Sequence, residues 1–153
     1  MTIIRNQVHL GKFNPKVILP YELRHQDFQM ALQDVYDFFF DVNSHLTSKG
    51  LQRLDDMLRP AIMSGVLSDM LTASLAKHSR ALTENKYFNG HPDLIVQGTY
   101  AGNSVKAGVD GVEIKTTRKA VARSILTALE NSGCVYLSTM STLSRNLRPR
   151  DGR

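Results

Sequence analysis

Three residues in the middle of the chain have types and spacing that could do chemistry together. Asp93 closes the tripeptide His91-Pro92-Asp93, and Glu113 and Lys115 flank Ile114 twenty residues further on. In an extended strand, residues two apart project from the same face. Glu113 and Lys115 therefore share a face, while Val112 and Ile114 point toward the core. A glycine-rich turn between two strands lets Asp93 lie beside them. Two carboxylates suit a hard divalent cation, because Mg2+ takes oxygen ligands and keeps several of its waters. Such a cation lowers the pKa of a bound water and stabilises a phosphorane-like transition state. The Lys115 ammonium can orient or help deprotonate that water and offset the developing negative charge. The residue types point to metal-assisted attack on a phosphate ester.

Positioning these residues falls to the elements around them. Met1 to Glu22 holds short apolar groups, Val8-His9-Leu10 and Val17-Ile18-Leu19, broken by Gly11, Pro15 and Pro20. This reads as part of an N-terminal arm over residues 1–26 or as short edge strands. From Asp27 the period changes: Phe28, Leu32, Val35, Phe39, Val42 and Leu46 recur at three- and four-residue steps, the stripe of one buried helix face. Gly50 closes that helix or its exit turn. A second helical stretch runs from Leu51 to about Leu58, and Pro60 starts a third that continues to about Arg80. Its apolar face (Ile62, Met63, Val66, Leu67, Met70, Leu71, Ala73, Leu75) is broad and predicts burial against a sheet. After Asn85 the chain turns strand-like. Leu94 to Val96 is a short apolar run, Gly98 to Gly111 holds four glycines and reads as a hairpin or loop, and Val112 to Thr116 alternates at period two. Arg123 to Asn131 predicts another helix and Cys134 to Leu137 another strand. Helices followed by strands, then a helix and a strand, fit an α/β or α+β domain.

Pro92-Asp93 and Glu113-Ile114-Lys115 resemble the PD-(D/E)xK signature of the restriction-endonuclease-like nuclease superfamily. The resemblance implies a core of α-βββ-αβ order, with a small mixed sheet, preceded here by N-terminal helices. The helix ahead of Asp93 matches the opening helix of that core. Carried over by position, Asp93 and Glu113 are metal ligands for Mg2+ or Mn2+, and Lys115 is the catalytic lysine. Many members add an acidic residue on the opening helix; Asp69 is the best-placed candidate, with Glu84 behind it. DNA is the implied partner, and a homodimer is compatible, since restriction enzymes often pair to cut both strands. The alternative is a catalytically inactive nuclease-like domain that binds nucleic acid or a protein, and a third reading is a helical interaction module over Asp27–Arg80.

Other residues have plainer readings. His91, next to Asp93, could touch a phosphate or the metal's second shell, but the preferred reading is a turn histidine without a catalytic role. Lys77, His78 and Arg80 close a helix, where cations favour the negative end of the dipole. Phe38-Phe39-Phe40 is read as core rather than as a base-stacking platform. No Gly-x-Ser-x-Gly elbow and no Walker pattern occurs.

With 153 residues, 42% of them hydrophobic, the chain has enough apolar side chains for one core. One cysteine, Cys134, excludes a disulfide scaffold and a cysteine-rich zinc site. Neither a secretory signal nor an eighteen-residue apolar run is present, so the expected compartment is the cytoplasm, with no membrane. The net charge is +5, but it is unevenly placed. Residues 119–153 hold six Lys or Arg against two acids, a net +4, which leaves +1 for residues 1–118. The basic balance therefore argues little for DNA binding by the nuclease-like body over 27–118.

That last segment also departs from the resemblance, which calls for a polar helix and then a strongly apolar strand. Across Ala120 to Thr142, the last base of each codon read with the first two of the next can, with suitable synonymous codons, spell Gly-Arg-Ala-Val-Asp-Thr-His-Gly-Ala-Arg-Glu-Gln-Trp-Met-Cys-Val-Phe-Val-Tyr. The expectation is a frameshift near codon 119 that leaves the closing elements of the core incomplete.

Overall fold

The computed structural model describes residues 3–116 and, beyond them, the backbone of two short strands at 126–128 and 135–137. The arm is irregular over residues 3–24 apart from one 3-10 turn at Leu10–Lys12, so the expected edge strands do not form there. It is nonetheless attached. Phe13 and Leu23 are buried in the core, and Gln29 and Gln33 exchange hydrogen bonds with the backbone of Val8 and Asn6.

Helix α1 spans His25–Ser48, starting three residues before Phe28, the first residue of the hydrophobic stripe. Its start is fixed by Asp27, whose Oδ2 accepts the Arg24 N–H at 2.9 Å while Oδ1 takes the Arg24 guanidinium at 2.6 Å. At the other end Gly50 adopts φ +72°, and the N–H groups of Gly50 and Leu51 turn back to the carbonyls of Thr47 and Leu46. A left-handed residue there lets the last carbonyls find donors, which is why a glycine ends this helix. The short α2, Leu54–Met57, and the longer α3, Pro60–His78, follow.

The broad apolar face of α3 narrows in the fold to Met63, Leu67, Leu71 and Leu75, with Ile62 and Ala73 left exposed. Its main partner is α1, with β1 second, so the predicted burial against a sheet is only part of the packing. Phe28, Leu32, Val35 and Phe39 of α1 meet this stripe in the core, as the three- and four-residue spacing requires. Phe39 is fully buried, Phe38 packs edge-on against it, and Arg5 of the arm lies over the ring of Phe40.

The sheet is β1 (Leu82–Glu84), β2 (Leu94–Val96) and β3 (Gly111–Val112) in that order. Both pairings are antiparallel, which corrects the expected mixed sheet. The reason lies in the connections: β1 and β2 are joined by a short loop, and the loop from β2 to β3 has no crossover helix to bring a parallel strand round. Strand β4 (Leu126–Ala128) pairs antiparallel with β5 (Val135–Leu137). β4 lies inside the segment expected to be a helix, Arg123–Asn131, so that expectation fails over its described part. The strand expected at Cys134–Leu137 is present from Val135. The rest of the atypical 119–153 segment, Cys134 and the frameshift expectation among it, lies outside the described residues. The described architecture is α+β: a helical pair on a small antiparallel sheet. Among the described residues no helix is long and apolar enough to cross a membrane.

Candidate active site

Strand pairing brings the two motifs together. Leu94 sits opposite Val112, so continuing that antiparallel register by one step sets Asp93 opposite Glu113. Residues 113–116 leave the ladder, and a side chain takes over its role: Asp93 Oδ2 accepts the Ile114 N–H at 2.7 Å. Period-two alternation persists without ladder bonds. Val112 and Ile114 are buried in the core, as predicted, while Lys115 reaches back along its own segment to Glu113.

Gly111 makes this approach close. A Cβ there would run into the Leu94 carbonyl and the Pro92 ring, so only glycine lets the two strands meet at this level. The Gly111 N–H is taken by the Tyr21 hydroxyl at 2.9 Å, tying the arm to the same strand.

Glu113 is the buried member of the site's polar groups, 7% exposed. Its Oε1 accepts the Lys115 ammonium at 2.5 Å and lies 3.3 Å from His91 Nδ1. Burial disfavours its charge, but the hydrogen bonds from Lys115 and His91 outweigh that and hold the carboxyl below its ordinary range. Asp93 goes the other way. Burial pushes its carboxyl up, the Ile114 bond partly offsets this, and the negative charge of Glu113 adds to the rise. One carboxylate held ionised beside another pushed toward neutrality is an arrangement that a cation would relieve.

His91, read from sequence as a plain turn histidine, belongs to this cluster. Its backbone is anchored by the neighbouring loop, with its N–H donating to the Lys106 carbonyl at 3.0 Å and its own carbonyl accepting from Gly108 at 2.7 Å. The imidazole is thereby carried to Glu113 with 66% of the side chain exposed. Its place beside Asp93 in the sequence leaves a role at the site open, but the contact with Glu113 itself depends on the pairing with residues 106–108. Asn85 supports the same region from beneath. Its amide nitrogen donates to the Pro92 and Val105 carbonyls at 3.0 and 2.8 Å, and its oxygen accepts the N–H groups of Tyr87 and Val105.

The opening helix reaches the site through hydroxyls rather than through an acid. Ser64 and Ser68 of α3 hydrogen-bond Thr116, the residue after Lys115, at 2.9 and 3.2 Å. Asp69 is exposed on α3, and Glu84 is exposed at the end of β1 opposite Leu94. Among the described residues no group of three or more His, Cys, Asp and Glu side chains is set to hold a metal ion. The fold thus gathers His91, Asp93, Glu113 and Lys115, and does not gather Asp69 or Glu84 with them. Comparison with protein-family models, with curated proteins and with solved structures gives no match to this chain.

Proposed function

We propose that the chain is a Mg2+- or Mn2+-dependent endonuclease of the restriction-endonuclease-like type, hydrolysing phosphodiester bonds of DNA. The carrying observation is the Asp93–Ile114 hydrogen bond, which locks the Pro-Asp strand to the Glu-Ile-Lys segment. Asp93 and Glu113 would hold the cation; both offer only oxygen donors, and a cation bound by two carboxylates keeps waters in its remaining positions. When bound, the ion supplies an activated water and neutralises charge on the phosphate. Lys115, with 56% of its side chain exposed, would turn toward that phosphate once the charge of Glu113 is shared with a cation. His91, like Lys115, positions Glu113 through its carboxylate, and most of its side chain stays exposed.

The test is Mg2+-dependent cleavage of plasmid and linear DNA by the full chain and by Asp93→Asn. Cleavage by the natural chain that vanishes in the variant supports the reading; equal cleavage by both sinks the site. A second reading, a nuclease-like domain that binds without cutting, is favoured by the two-carboxylate set, which Asp69 does not complete. Mn2+ binding by calorimetry separates the two, since a working site binds the ion and loses it in Glu113→Gln. We also propose that residues after codon 119 are read out of frame. The coding DNA decides this: no single-base change near that codon that opens a longer frame means the idea is wrong.

A further inference from the structure

Two loops beside the candidate site are laced together: residues 85–91, between β1 and β2, and residues 103–108, ahead of β3. Lys86 N–H donates to the Asn103 carbonyl at 2.9 Å and His91 N–H to the Lys106 carbonyl at 3.0 Å. Between them Asn85 binds both backbone groups of Val105. Gly90 lies so close to Val105 and Asn85 that any Cβ there would collide with them. The loops are therefore held in one shape, and Phe88 stands on their crest with 87% of its surface exposed.

A ring in that position contributes nothing to the core. The charged side chains of these two loops are cationic. Lys86 and Lys106 are exposed, and among the described residues neither forms an ion pair. Across residues 85–91 and 103–110 the only acid is Asp110, two positions beyond Gly108. A rigid aromatic face on loops that carry two ammonium groups, unpaired among the described residues, complements an unpaired base with its phosphates. In a duplex the base faces are already stacked and closed to such a ring.

We propose that these paired loops are a docking platform for single-stranded DNA, with Phe88 stacking on a base and Lys86 and Lys106 meeting its phosphates next to Asp93 and Glu113. The platform rests on the nuclease reading for its choice of DNA as the polyanion, and it would deliver an unpaired strand, rather than an intact duplex, to the carboxylates.

The experiment is fluorescence anisotropy of a labelled single-stranded 20-nucleotide DNA with the full chain in EDTA. Phe88→Ala is expected to weaken binding by about tenfold with the melting temperature unchanged, because the ring is exposed. Lys86→Ala combined with Lys106→Ala is expected to lower the slope of log affinity against log salt by roughly 1.4, about 0.7 for each phosphate contact. The chain contains no tryptophan, so Phe88→Trp adds a lone indole, excited selectively over tyrosine, at the platform, and its emission should be quenched when DNA is added. Binding by Phe88→Ala equal to the natural chain, an unquenched tryptophan, or equal competition by duplex overturns the platform. Phe88-dependent binding in EDTA without any cleavage in Mg2+ would sink the nuclease reading and leave the platform standing; cleavage without Phe88-dependent binding does the reverse.

Discussion

Asp93 Oδ2 receives the Ile114 N–H at 2.7 Å, one residue past the point where the β2–β3 ladder ends. A carboxylate that completes a sheet in this way has two duties. It must accept a main-chain hydrogen bond, which any oxygen in that place can do, and it must carry charge beside Glu113, which is costly in a half-buried position. These duties separate under mutation.

Asp93→Asn keeps an oxygen for Ile114 and removes the charge. The Asp93 carboxyl titrates above its ordinary value, chiefly because of burial. Between the ordinary and the raised value the folded chain holds a proton that the unfolded chain has lost, so stability falls as pH rises through that window. At neutral pH the variant should therefore melt at or above the natural chain, and the gain should disappear in acid. Asp93→Ala removes the acceptor, leaves the Ile114 N–H unsatisfied, and should lose about 1–3 kcal/mol. Thermal unfolding of both variants at two pH values checks this. An alanine variant as stable as the asparagine one would show that the Ile114 bond does not hold the register.

Lys115 and Glu113 form the opposite case, a charge pair that keeps a buried carboxyl ionised. Lys115→Ala should leave the fold intact and lower the rate of Mg2+-dependent cleavage by about 10²–10³, the usual loss for one charge-stabilising group. The Glu113 carboxyl should then titrate higher, followed by NMR of labelled glutamate. The lowered carboxyl of the natural chain adds stability above its ordinary pKa that is lost as pH falls through the folded value, so the variant should show a shallower loss of stability in acid. An unmoved Glu113 titration would mean that His91 carries the pairing alone.

Asn85 and Gly90 hold the loop that carries His91 and Phe88. Four hydrogen bonds converge on the Asn85 amide. Truncation to alanine leaves several of those partners unmatched and should cost on the order of 2–4 kcal/mol. Gly90→Ala places a methyl against Asn85, 2.6 Å from its amide nitrogen, and Tyr87, 2.9 Å from its Cβ, and should cost a similar amount. Urea unfolding gives both values. Wild-type stability in either variant would mean that the loop can rearrange without loss.

Much of the helical half was legible because its period is strong. Phe28, Leu32, Val35 and Phe39 mark the core face of α1, and Pro60 marks the first residue of α3. The start of α1 was less so, since Asp27 caps from inside the helix rather than from before it. Strand β1 leaves no pattern in the sequence: Leu82–Glu84 is three residues long and buries one of them, too little for a period to register. The alternation around Glu113 and Lys115 was legible even though the ladder stops at Val112, because Ile114 still anchors the core. What one-dimensional spacing does not carry is which loop lies beside which. The His91 contact with Glu113 depends on that.

A second carboxylate, Asp34, ties α1 to α3 well away from the site, and its titration can be worked out in sign. Its Oδ2 accepts the Ser74 hydroxyl at 2.5 Å and the Lys77 ammonium at 3.1 Å, and lies 2.8 Å from His78 Nε2. Burial alone would raise its pKa, but the hydrogen bonds from Ser74, His78 and Lys77 prevail and hold it below the ordinary range. A lowered carboxyl contributes stability above its ordinary pKa and loses it as pH falls through the folded value. Asp34→Asn should therefore be less stable than the natural chain at neutral pH, and the two unfolding curves should converge in strong acid. Because the group is partly exposed, the neutral-pH difference should be modest and should shrink in high salt. A gap that stays constant down to strong acid would assign the effect to lost packing between α1 and α3, and not to the charge.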